Sequence, residues 1–240
     1  MAASAPDVPR QTRETVWDDL TGVVSFLADP EGAARRLDRK WFWLGALLIS
    51  SAISLAARVL IMPLLQHVLE LRPIPANVTP EQFQRQIAIG MTIQRVANYF
   101  MPLILACILA VQALILWASG SIAGMQAKFR SLFNLTSGCS IIPALAALAG
   151  AIVVRAKGEP STVAELQPAF GLDMFLDEGT NRFLLAFLGY FSVFEIWWMV
   201  MALLVLSAGF GVSKSKAGLV LAPLVILGLI LHLVSVAFQR

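Results

Sequence analysis

One carboxylate stands inside an otherwise apolar stretch: Glu195, the single charge between Phe183 and Val212. An acid deep in a bilayer costs about 2.5–3.5 kcal/mol on insertion scales, so it needs a reason. Such a group either serves an ion path or clamps helices together through hydrogen bonds. Arg58 is the other charge within a span. At 1.5 Å per residue, and with a hydrocarbon core about 30 Å thick, the two lie about 13 Å apart along the membrane normal. That gap is too wide for a comfortable ion pair. Ser50, Ser51 and Ser140 fall near the level of Glu195, and Ser192 lies one turn away. The expectation is a neutral, protonated Glu195 hydrogen-bonded to hydroxyls. Transport or proton relay is the alternative.

Other chemistry is sparse. There is no His-Glu-x-x-His pattern for zinc, and His67 and His232 fall on different spans. Neither Gly-x-Ser-x-Gly nor a phosphate-cradling Gly-x-x-x-x-Gly-Lys-Ser/Thr run occurs. The reading is a non-enzymatic protein with no catalytic residue, cofactor or metal site. Cys107 and Cys139 both sit in apolar runs, which suits small core residues better than a disulfide.

The elements that hold Glu195 are membrane helices. Phe183 to Val212 and Ala217 to Gln239 flank the short basic turn Ser213-Lys214-Ser215-Lys216, and each arm exceeds the roughly 20 residues a helix needs to cross a bilayer. Composition agrees: 58% of residues are hydrophobic and 14% charged, with mean hydropathy +0.76. The fold class is therefore all-α, a polytopic integral membrane protein with five transmembrane helices. Spans are expected at about 41–61, 96–118, 131–154, 183–212 and 217–239, forming a membrane domain over 41–239. Residues 1–40 read as a cytoplasmic arm without a signal peptide. The net charge of +3 is small and spread along the chain, an orientation signal rather than a nucleic-acid footprint.

Within that arm, Met1 to Thr12 reads as disordered. Val16, Trp17, Leu20, Val23, Val24 and Leu27 then recur at helical spacing over Glu14 to Leu27. This amphipathic helix is expected to lie at the membrane surface or folded under the bundle, or, as the sharper reading, to dock a cytoplasmic partner. Asp29-Pro30-Glu31 starts a second helix, with Asp29 as cap and Pro30 at its first position, running through Arg35 to Lys40 into the first span. Ala46, Ser50, Ser54 and Arg58 share a face, which suits close helix packing. Thr79-Pro80-Glu81-Gln82 is a capping box opening a helix that continues into the second span, kinked at Pro102. Pro143 interrupts the third span. Thr162 with Glu165 offers another capping box in the following loop.

Basic residues set the orientation. Arg10, Arg13, Arg35, Arg36, Arg39, Lys40, Lys128, Arg130, Lys214 and Lys216 fall on the N-terminal side of the membrane. Arg72, Arg85, Arg95, Arg155, Lys157, Arg182 and Arg240 fall opposite, among balancing acids. The excess places the N-terminus in the cytoplasm and the C-terminus outside.

Three places carry a family resemblance. Asp29-Pro30 precedes the first span. Gly124, Phe129 and Pro143 follow one another as a link glycine, an aromatic residue and a mid-span proline. Phe191-Ser192-Val193-Phe194-Glu195-Ile196-Trp197 is followed by Gly209 and Lys214-x-Lys216-Ala217. In these the chain resembles the YIP family of Ypt/Rab-GTPase-interacting membrane proteins, in its bacterial form, over about residues 20 to 238. Ser192 stands where that family often has Asp, and Glu195 where it usually has a small or polar residue. The resemblance implies a scaffold or adaptor of the bacterial cytoplasmic (inner) membrane that organises protein partners or lipids, as a homo- or hetero-oligomer. A small transporter or channel subunit using Glu195 is the alternative.

Overall fold

A computed structural model describes residues 22–74, 77–162, 164–166, 168, 170–176 and 180–238. The expectations for Met1 to Thr12, and for the amphipathic helix from Glu14 to Thr21, lie outside the described residues. Among those described there are helices and turns but no strands. Five helical stretches are long and apolar enough to cross a membrane. The all-α fold and its five spans are as expected.

Near the start of the described residues lie two short helices, α1 (Ser25–Ala28) and α2 (Pro30–Ala34). Asp29 joins them and caps α2, its Oδ1 accepting from the Gly32 amide at 2.9 Å, with Pro30 at the first helical position. α2 does not run on into the first span, as the sequence suggested. It stops at Ala34, and a turn carries the basic cluster to Trp41. The described part of the arm packs inward, with Val24 left exposed. Val23 and Phe26 are fully buried, and Ala33 and Leu37 join them in the main core. Phe26 stacks on Phe42, with ring centroids 5.3 Å apart.

The first span, α3 (Phe42–Glu70), passes through Pro63 and is longer than expected. At 29 residues it extends about 43 Å, well beyond a 30 Å hydrocarbon core. Of the small-residue stripe, Ala46 and Ser50 are buried while Ser54 and Arg58 are half-buried, so its first half faces the bundle, beside Ser51 and Ala57. Trp41 provides no side-chain cap for α3. Asn134, 91 residues away, does so instead: its Oδ1 accepts from the Trp43 amide at 3.1 Å. Its Nδ2 donates to Leu37 O at 2.8 Å and Arg39 O at 2.7 Å. One fully buried amide therefore fixes the entry turn to the middle of the bundle.

The capping box at Thr79 is formed in both directions, with Gln82 N donating to Thr79 Oγ1 and Thr79 N to Gln82 Oε1, each at 3.2 Å. It opens α4 (Pro80–Tyr99), which ends at Phe100 before α5 (Met101–Ile122) begins. The single kinked helix of the sequence reading is thus two helices. Pro102 sits in the first turn of α5, where a missing N–H leaves no carbonyl unpaired. α4 is not among the membrane-length apolar helices.

The third span lies at the centre and is the most buried of the five. It comprises α6 (Phe129–Cys139) and α7 (Ile141–Lys157), divided at Ser140. Pro143 accounts for the division: without an N–H it cannot donate to Cys139 O four residues back. In the loop that follows, Thr162 and Glu165 organise a three-residue 3-10 turn, Ala164–Leu166, rather than a longer helix. Donation from the Ser161 amide, then from the Ser161 and Thr162 hydroxyls, holds the Glu165 carboxyl below its ordinary range.

The apolar run from Phe183 also divides, into α8 (Arg182–Tyr190) and α9 (Val193–Phe210). α9 ends on Gly211, whose left-handed φ of 61° suits glycine. The expected basic turn is mostly helix: α10 (Lys214–Phe238) takes up Lys214, Ser215 and Lys216 and completes the bundle. Cys139 is buried as expected, but Cys107 is exposed on α5 rather than in the core.

Candidate functional site

The break between α8 and α9 builds the site. Ser192 has extended backbone, and its Oγ accepts from the Glu195 amide at 3.1 Å. The Val193 amide, which no helical carbonyl can reach, donates to Phe170 O in the loop before α8 at 3.1 Å. The new helix therefore starts within the apolar run, its first amides satisfied by a serine and a loop carbonyl. Glu195 occupies its first turn, where the helix dipole favours an acid.

Glu195 and Tyr190 line the same cavity. Tyr190 Oη donates to Val225 O on α10 at 3.2 Å. Gly228 makes room for this approach, because a Cβ there would lie 2.6 Å from the hydroxyl oxygen. The cavity has a volume of about 580 Å³, with Gln112 of α5 and Ser140 at the α6–α7 break on other walls. The remaining lining is apolar, and Ile108, Val111 and Leu231 at its margin are 50%, 56% and 59% exposed. The cavity thus opens sideways between α5 and α10, toward the side of the bundle.

The expected hydroxyl partners divide. Ser140 shares the cavity wall with Glu195, but its Oγ is spent on Ser50 Oγ at 2.8 Å and Ser137 O at 2.6 Å. Ser192 serves the Glu195 backbone rather than its carboxyl. Ser51 Oγ is buried and makes no hydrogen bond. The serine cluster thus ties α3 to the central span, and Glu195 shares its cavity with a tyrosine. Arg58 turns elsewhere, Nη1 donating to Asn98 Oδ1 at 3.3 Å, as the height difference required.

The other residues singled out by sequence have structural places. Gly124 takes a left-handed φ of 67°, and its carbonyl accepts from Lys216 Nζ at 3.2 Å. Phe129 opens α6 and stacks on Phe133 at 6.2 Å. Pro143 forms part of the cavity wall. Phe194 meets Phe170 edge-on at 5.5 Å. Trp197 Nε1 donates to Leu27 O at 2.8 Å, linking α9 to the buried N-terminal turn.

Sequence reasoning missed Tyr190, Gln112 and Asn134. A signal for the first was present: Ser192-x-x-Glu195 is the pattern of a helix start, and a start there sets Tyr190 just before the break. No family model, curated protein or solved structure matches this chain.

Proposed function

We propose that the chain is a non-enzymatic integral membrane scaffold or adaptor of the kind the YIP resemblance implies, organising a protein partner beside it. The observation that supports this reading is an unpartnered face on α4 and the start of α5. Ile89, Ile93 and Val96 recur on α4 at intervals of four and three residues, Phe100 and Leu103 follow at the break and on α5, and all are about half exposed or more. That spacing forms a seam for another helix. Lipid asks for no such period, and Ile89 and Ile93 precede the membrane-length helix. Arg85 and Arg95 flank the seam and are exposed. The occupant is therefore a helical membrane protein with acidic side chains near its apolar stripe, because a second copy would set like charges together. A photo-crosslinking residue at Ile93 in native membranes should give one discrete heterologous adduct, abolished by Arg85→Glu with Arg95→Glu. A self-adduct alone, or an adduct indifferent to charge reversal, would overturn the reading.

In this reading the protein sits in a bacterial cytoplasmic membrane, N-terminus inside and C-terminus outside. Cysteine at Ser215 should then resist an impermeant thiol reagent in intact cells, and labelling there would reverse the topology. The α8–α9 break favours a second reading as a small transporter or channel subunit, since helices interrupted in the membrane mark substrate sites in transporters. Glu195-dependent flux in proteoliposomes would select it over the scaffold.

A further inference from the structure

The cavity behind Glu195 has a use that does not depend on the α4–α5 seam. We infer that it binds a single-chain, uncharged amphiphile with a hydroxyl head, entering sideways from the bilayer. Its volume of about 580 Å³ lies within the range of small-ligand pockets, about 300–1,000 Å³. The margin formed by Ile108, Val111 and Leu231 is apolar and open, suiting a hydrocarbon chain. The polar groups decide the head. Tyr190 has one proton and gives it to Val225 O. Glu195 lines the same cavity and offers a carboxyl oxygen as acceptor. Gln112 adds an amide that both donates and accepts. A hydroxyl supplies the matching donor and acceptor.

Charged heads fit less well. No Lys, Arg or His is among the residues lining the cavity, so a carboxylate or phosphate meets no counter-charge. An ammonium would require Glu195 to ionise in a mostly apolar pocket, where desolvation of both ions opposes the pair.

The test uses the full chain in phosphatidylcholine nanodiscs with a long-chain alcohol bearing a terminal diazirine, the adducts mapped by mass spectrometry. Labelling should saturate on α5 and α10 around Cys107 and Leu231. Unlabelled hexadecanol should compete, whereas hexadecanoate and hexadecylamine should not. Glu195→Gln keeps a carbonyl acceptor and should retain saturable labelling, and Glu195→Leu should lose it. Cys107→Trp fills the exposed mouth without touching Tyr190, and should abolish labelling in a protein that still folds. Non-saturable labelling spread over every lipid-facing helix, stronger competition by the amine, or full labelling of Cys107→Trp would each overturn the inference.

Discussion

Phe26 is where the buried N-terminal segment can be tested most directly. Its ring is fully buried, stacked on Phe42 and set over Gly138. Truncation of a buried phenylalanine to alanine costs about 3–5 kcal/mol, of which a stacked aromatic pair is a part. Undocking of residues 22–28 should therefore become about 10²- to 10⁴-fold more frequent in Phe26→Ala. Amide exchange of that segment in detergent or nanodiscs reads this, as does fluorescence of Trp197, whose indole donates to Leu27 O. Gly138 gives an independent approach from the other side. A Cβ at position 138 would lie 2.5 Å from Phe26 Cε1, so Gly138→Ala must displace the ring. Combining Gly138→Ala with Phe26→Leu should recover part of the loss, because the smaller side chain relieves the overlap. If Phe26→Ala raises exchange less than about threefold and Gly138→Ala is silent, the segment is not seated in the bundle. The same reasoning says that removing residues 1–28 takes out part of the core.

Asn134→Leu should lower resistance to denaturation by about 2–4 kcal/mol, since two carbonyls and the Trp43 amide lose their partner; a change below about 1 kcal/mol in an unfolding titration would refute the capping role. The Ser161–Glu165 turn should be pH-dependent. Folding lowers the Glu165 carboxyl from 4.5, so its contribution is present above that value and fades as pH falls through the lowered one. Protection of the Ser161 amide, relative to its intrinsic exchange rate at each pH, should fall locally on acidification, and Glu165→Gln should remove the dependence.

What the sequence made legible follows from which physical rules are local. Rise per residue is fixed, so counting placed Arg58 and Glu195 at different heights, and Arg58 is found on Asn98 instead. The caps at Asp29 and Thr79 were readable because a cap and the amide it serves lie within three residues. The helix breaks at Phe100 and Ser192 were not, because apolar run length reports that a segment prefers hydrocarbon without reporting whether its backbone is continuous. At Ser192 the competing local signal, a serine three residues before an acid, was outweighed by run length. The break persists because an outside carbonyl, Phe170 O, takes the Val193 amide.

The interactions that define the candidate site are long-range, and no spacing rule announces them. Tyr190 reaches Val225, 35 residues on, past a glycine whose missing side chain makes the space. Asn134 caps a helix 91 residues earlier in the chain. The serines chosen by depth were the right neighbours of one another and the wrong partners for the acid, because depth restricts a side chain to a plane without choosing its azimuth. Azimuth is set by packing, here by the division of the central span at Ser140 and of the fourth at Ser192. Those two divisions place Ser140 and Glu195 on one cavity. The carboxyl that looked like a clamp between helices instead sits beside a tyrosine, with open space before it.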